Sequence, residues 1–152
     1  PKLQEEVDKR VMERVKKNDP VAMIHMGKKH YTKGDYGKAL EYYAKAAELG
    51  DANAHAGLGS LYFRGEGVDK DMNRAIYHLE QAAIGGHPTA RALLANYDME
   101  NGRFERAAKH YIFAANLGCD ISLRCVKDLF VQGVVSKEDY IAALLAHLAQ
   151  MR

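Results

Sequence analysis

The chain has 152 residues, 47% of them hydrophobic and 28% charged, with a formal net charge of +2. That balance can bury one core, roughly two thirds of the unfolded surface, and it excludes a disordered chain. No apolar run nears the roughly 20 residues of a membrane helix, and no signal peptide opens the sequence.

The first residue is Pro1 in place of an initiator Met, which predicts a trimmed chain or a piece of a longer one. Residues 3–17 form the first predicted helix, with Leu3, Val7, Val11 and Val15 recurring every four residues. Glu5 and Glu6 lie one turn before Lys9 and Arg10, and Glu13 one turn before Lys17, the favoured order for surface pairs. Arg10, Arg14 and Lys17 make a basic stripe. It reads as the solvated face of a capping helix, with contact to an acidic surface or nucleic acid as the alternative. Residues 1–18 hold six Lys/Arg against four Asp/Glu, so the rest of the chain is neutral. A phosphate-gripping domain concentrates many basic groups on one face, and that concentration is missing.

Asn18-Asp19-Pro20 closes this helix and opens the next. Asp19 can accept from the free amides, and Pro20 has the fixed φ of a first turn. His87-Pro88 repeats the device with a poorer cap. The apolar spacing then predicts paired helices A and B over 20–33 and 36–49, 52–64 and 72–85, 88–101 and 103–117, and 120–132 and 137–150. Gly27, Gly59 and Ala95 share one place in helix A. Ala39, Ala75 and Ala107 share another in helix B, followed by Ala46-Ala47, Ala82-Ala83 and Ala114-Ala115. Gly in mid-helix costs roughly 1 kcal/mol against Ala, so its recurrence predicts close helix contact. Met23, Met26, Tyr43, Leu58, Tyr62, Leu79, Leu94 and Tyr111 fill the remaining space. Gly50, Gly86 and Gly118 stand where B helices end and a left-handed residue is commonly needed.

The pairs begin at 19, 51, 87 and 119, with periods of 32, 36 and 32 residues. A period in this range marks a helical solenoid. The predicted organisation is one helical-repeat domain over 1–152: a capping helix 1–18, repeats 19–50, 51–86 and 87–118, and a degenerate capping repeat 119–152. In the last, Leu123, Val126 and Phe130 keep helical spacing, and Ser136 with Asp139 reads as a capping box. Its final helix, YIAALLAHLAQMR, is apolar on one side and is expected to fold back as a terminal cap.

Catalytic and metal signatures are scarce. The seven histidines fall in no HExxH pattern, and no carboxylates stand at ligand spacing. His78 and His110 recur at one place in helix B, and His30 ends a stripe with Met23 and Met26, which predicts packing or surface roles. Cys119 and Cys125 lack metal spacing and suit a reducing compartment as two free, mostly buried thiols. Gly65-Glu66-Gly67 follows no strand and reads as a turn, with no phosphate-loop role.

Leu58-Gly59-Ser60-Leu61-Tyr62, Gly65-Glu66-Gly67-Val68, Asp71, Arg74-Ala75 and Ala82-Ala83 resemble a Sel-one-like repeat of 36 residues. The flanking units have shorter turns at Gly34-Asp35-Tyr36 and Gly102-Arg103-Phe104, and the first, with Ala39, Tyr43 and Ala46, is equally similar to a tetratricopeptide repeat. The resemblance covers 19–118 well and the last unit weakly. The third helix A departs from it, with Ala95 for Gly and Asp98 where an aromatic residue is common. The resemblance implies an all-α, right-handed α/α superhelix that serves as an adaptor or scaffold and needs no cofactor. Some secreted, cysteine-rich members have been linked to β-lactam binding, but the first three repeats here contain no cysteine.

A binding surface follows from helical spacing. If Met23, Met26 and His30 face helix B, the stripe Val21, Ile24, Lys28 and Tyr31 lines the inner curve. Its counterparts are Asn53, Ala56, Ser60 and Phe63, then Thr89, Ala92, Asn96 and Met99, with Arg64 at the border. Apolar anchors in a polar rim suit a peptide or partner protein. The expectation is a monomeric, intracellular interaction module without cofactor, metal or membrane contact. Packing of repeat against repeat, an engineered array with no evolved partner, an RNA-binding repeat and an enzyme are the alternatives.

Overall fold

The computed structural model describes residues 1–151, and among them the chain forms nine helices and no strand. They are α1 (Lys2–Lys16), α2 (Pro20–Thr32), α3 (Tyr36–Glu48), α4 (Ala52–Arg64), α5 (Met72–Ile84), α6 (Pro88–Glu100), α7 (Phe104–Asn116), α8 (Asp120–Val131) and α9 (Lys137–Ala149). Aspartate starts four of them. Asp19, Asp35, Asp51 and Asp71 accept backbone N–H bonds at the N-termini of α2, α3, α4 and α5, satisfying amides that have no partner within the helix. Asp19 also holds Arg14 at 2.5 Å, which ties the end of α1 to the start of α2. His87 is a better cap than its residue type suggests, since its Nδ1 accepts from the Ala90 N–H at 3.2 Å. Ser136 accepts from the Asp139 N–H at 3.1 Å, the forward half of the predicted capping box. Gly50, Gly86 and Gly118 have φ of 84°, 86° and 99°, the left-handed conformation expected of them.

The chain divides into two compact units, Pro1–Gly86 and His87–Arg152. In the first, each helix packs on the next, and α2 also touches α4. Its core gathers Met23, Ile24, Tyr43, Leu58 and Leu61 among buried alanines. Tyr43 of α3 inserts between two glycines: a Cβ would stand 2.7 Å from its ring at Gly27 and 3.0 Å from it at Gly57. In the second helix pair the same role falls to Leu79, fully buried, with a Cβ at Gly59 falling 2.7 Å from its Cγ. The small residues thus admit a large side chain from the partner helix.

In the second unit α6 packs on α7, and α7 on both α8 and α9. Tyr111, Val126, Leu129 and Val135 form the core with buried alanines. The last helix folds back on α7 and α8, with only part of its apolar side covered. It buries Ala143 and His147, while Ile141, Leu145 and Leu148 stay 44%, 62% and 49% exposed. His147 anchors it, with Nδ1 3.0 Å from the Ala115 carbonyl oxygen of α7 and Nε2 2.7 Å from Asp120 of α8. Cys119 and Cys125 are free and half-buried, and Ser122 donates to the Cys119 sulfur at 3.1 Å.

Turn length differs by place. Residues 49–51, 85–87 and 117–119 join a B helix to the next A helix with three residues each, whereas A joins B through 33–35, 65–71, 101–103 and 132–136.

Candidate partner-binding surface

Two A helices of the first unit, α2 and α4, present most of the residues picked out by spacing. Val21 is 61% exposed, and Lys28, Asn53 and Arg64 are exposed with it. Tyr31, Ser60 and Phe63 are half-buried. Ile24 is a correction. It is only 7% exposed and belongs to the core with Met23 and Leu58, so it offers nothing to a partner. Ala56, its counterpart on α4, is likewise buried. Helix A has neighbours on more than one side in a layered repeat, and the second residue of the stripe turns into that contact.

Tyr31 is held from the side by the long turn between α4 and α5. Its hydroxyl donates to Glu66 at 3.2 Å and accepts from Arg64 at 3.4 Å, while Arg64 lies 3.8 Å from Glu66. The Tyr31 ring tilts against Tyr36, centroids 5.1 Å apart. The negative charge of Glu66 holds the Tyr36 phenol above its ordinary range. Glu66 is the residue of this candidate surface that sequence reasoning missed, because its turn carried no periodic signal. The next residue shows why the turn lies there. Gly67 has φ 74°, and a Cβ on it would fall 2.7 Å from Cβ of Tyr36, so only glycine lets the turn press against α3. Lys70, from the same turn, places its Nζ 6.0 Å from the Phe63 ring centre.

In the second unit, Thr89 and Asn96 of α6 are exposed and Met99 is half-buried against the core. Asn96 Oδ1 accepts from the Tyr111 hydroxyl of α7. Asp98, placed where an aromatic residue was expected, is 3% exposed. It meets Arg103 at 2.8 Å, His110 at 3.8 Å and Arg106 at 4.0 Å. The same A-to-B position is a ring stack in the first unit: His30 on Tyr42 at 5.6 Å, and Tyr62 on His78 at 5.8 Å. Two chemistries, a ring stack in two repeats and an ion-pair cluster in the third, thus occupy one repeated contact. Among the described residues no three His, Cys, Asp or Glu converge as a metal site, and no helix is long and apolar enough to cross a membrane.

The Sel1 repeat matches residues 20–51, 52–87 and 100–119. The chain belongs to the Sel1 repeat family. A Sel1 repeat protein from Oxalobacter formigenes has a similar structure, with a TM-score of 0.78 and 29% identity over 95% of this chain and 64% of its own. The protective antigen c5321 of uropathogenic Escherichia coli, described as displaying an SLR fold, gives 0.77 and 26% identity over 91% of this chain and 32% of its own. "Putative beta-lactamase HcpC" of Helicobacter pylori strain J99 is 34% identical over 56 residues, 37% of this chain and 19% of HcpC. This Sel1 chain therefore spans about a fifth or less of the curated relatives it matches, 19% and 17% of the first two. The family places it among all-α helical-repeat solenoids, and Sel1 repeat proteins generally mediate protein–protein interaction.

Proposed function

We propose that this Sel1 repeat chain is a non-enzymatic, monomeric adaptor inside the cell, and that the A helices of its first unit hold a peptide or segment of a partner protein. The observation carrying this reading is the pairing of Tyr31 and Phe63. Both are half-buried rings near the C-terminal ends of the touching helices α2 and α4, with exposed Lys28 and Arg64 beside them and exposed Val21 and Asn53 at the opposite ends of the same helices. Fixed aromatic anchors within a polar rim are the usual composition of an interaction hot spot. Thr89, Asn96 and Met99 hold the matching places of the repeat in the second unit. No strongly basic face favours RNA, since charge beyond residue 18 is balanced.

The test compares partner capture from source cells by the wild type, Tyr31→Ala and Phe63→Ala, alongside urea unfolding. Each variant is expected to weaken capture while stability falls by less than about 1 kcal/mol. A loss of roughly 3–5 kcal/mol in Phe63→Ala would make that ring part of the core and remove it from the surface. The beta-lactamase in the name of HcpC is said of that protein. Hydrolysis of a chromogenic cephalosporin by the purified chain would overturn the non-enzymatic reading.

A further inference from the structure

Four aromatic rings meet where α4 and α5 pair. His78 stacks on Tyr62, with planes 4° apart. His55 tilts against His78 at 5.3 Å, and Tyr77 stands edge-on to both, 5.1 Å from His78 and 6.5 Å from His55. The Nδ1 atoms of His55 and His78 are 3.0 Å apart, so one ring donates there and the other accepts. These rings line a cavity of about 440 Å³, which α3 completes with the alkyl surface of Ala44 and Ala47. Glu48 is the one carboxylate in that lining among the described residues, and no Lys or Arg lines it. Burial pushes both imidazoles below their ordinary value of 6.5, so near neutral pH they bring little positive charge.

The chain covers other aromatic faces with its own guanidinium groups. Arg91 lies 3.5 Å from the Phe113 centre, Arg103 5.3 Å from Tyr97, and Arg74 5.6 Å from Tyr62. Arg74 is offset by Asp71 at 3.6 Å. Tyr77 is 55% exposed, and among the described residues no cation stands over it.

We propose that this cavity binds an arginine side chain of a partner protein, with the guanidinium between Tyr77 and Glu48 and its alkyl stem along Ala44 and Ala47. Arginine fits because it is a flat, weakly hydrated cation that stacks on aromatic rings and forks onto a carboxylate, where lysine is a compact, strongly hydrated charge. The volume lies within the range of a side-chain or small-ligand pocket. The proposal rests on the protein-binding reading above but uses a separate face.

The test uses the full chain and two blocked tripeptides: N-acetyl-Gly-Arg-Gly amide and its citrulline analogue, which keeps arginine's shape and removes its charge. NMR titration should shift the ring protons of His55 and His78 saturably with the arginine peptide, with Kd on the order of 1 mM. The citrulline peptide should bind about threefold more weakly or worse. Glu48→Gln, at an exposed position, should lower the arginine peptide to the citrulline level. Ala44→Leu, which fills the cavity from α3, should abolish binding of both, provided its circular dichroism melt is retained. If that variant does not fold, Glu48→Gln decides alone. Equal binding of the two peptides, tighter binding of N-acetyl-Gly-Trp-Gly amide, no saturable shift, or shifts that survive a folded Ala44→Leu each overturn the proposal. Partner capture that needs Phe63 but survives Ala44→Leu would leave the helix-A reading intact and remove this cavity from partner binding.

Discussion

Half-buried His55 and His78 and buried His147 are tied into the fold in different ways, and each makes a prediction. His55 and His78 are held below 6.5 by burial, and His78 also by the nearby His55 and Arg74. The folded chain therefore resists protons that the unfolded chain accepts. Their contribution to stability is complete above the unfolded value of about 6.5 and is lost as pH falls through the folded values. The melting temperature should drop as pH falls below about 6.5, and His78→Phe, which keeps a ring on Tyr62, should shrink that drop. His147 bonds two elements at once and is 4% exposed, so His147→Ala removes both bonds and leaves space where a buried ring stood, although the Ala115 carbonyl keeps its bond from the Gly118 N–H. That variant should lose about 1–3 kcal/mol in urea unfolding. Asp120→Asn should stay within about 1 kcal/mol, because Asp120 is 76% exposed. None of these pairings was legible in the sequence. Spacing placed His78 and His110 at one repeat position, but it did not reveal that His55 would reach across to His78. It likewise put Ile24 in the binding stripe, since one helix's periodicity does not show how many neighbours cover that helix.

At the scale of elements the sequence was far more legible. All nine helices among the described residues fall where apolar spacing put them, with ends within about two residues, the usual uncertainty of a fraying terminus. The glycines explain why. Gly59 faces fully buried Leu79, so Gly59→Ala should cost roughly 1–3 kcal/mol by overpacking. Gly37 lies in α3 with nothing within 4 Å of an added Cβ, so Gly37→Ala should stabilise by about 0.4–1 kcal/mol. Thermal melts of the two variants should move in opposite directions. A parallel shift would mean that the Leu79 contact is misplaced. The final helix was the least legible element. Its apolar side was visible in the sequence, but which part of it would meet α7 depended on His147, a residue that hydropathy counts as polar.

The whole chain owes its fold to a period and its organisation to local cores. Each unit gathers its own buried cluster, Tyr43, Leu58 and Leu61 in one and Tyr111, Val126 and Leu129 in the other. A fragment ending at Gly86 should therefore fold by itself, with a helical circular dichroism spectrum and a single cooperative melt. A featureless melt would show that its core needs residues beyond that point. The fold and family were legible because three copies of one pattern agree in register. The proposed partner surface was legible only in outline, since Glu66 enters it from a turn whose side-chain directions follow no period.

The unequal turns have a consequence for how such a chain can change. Every passage from one repeat to the next uses three residues, while the hairpin inside a repeat takes three, five or seven. Length drift is therefore confined to the hairpins, where added residues lengthen a surface loop without shifting the seam between repeats. One hairpin has already turned extra length into a fixed contact, through Glu66 on Tyr31. The hairpin at 101–103 is the natural place to graft a new recognition loop, and any of the repeat seams the worst.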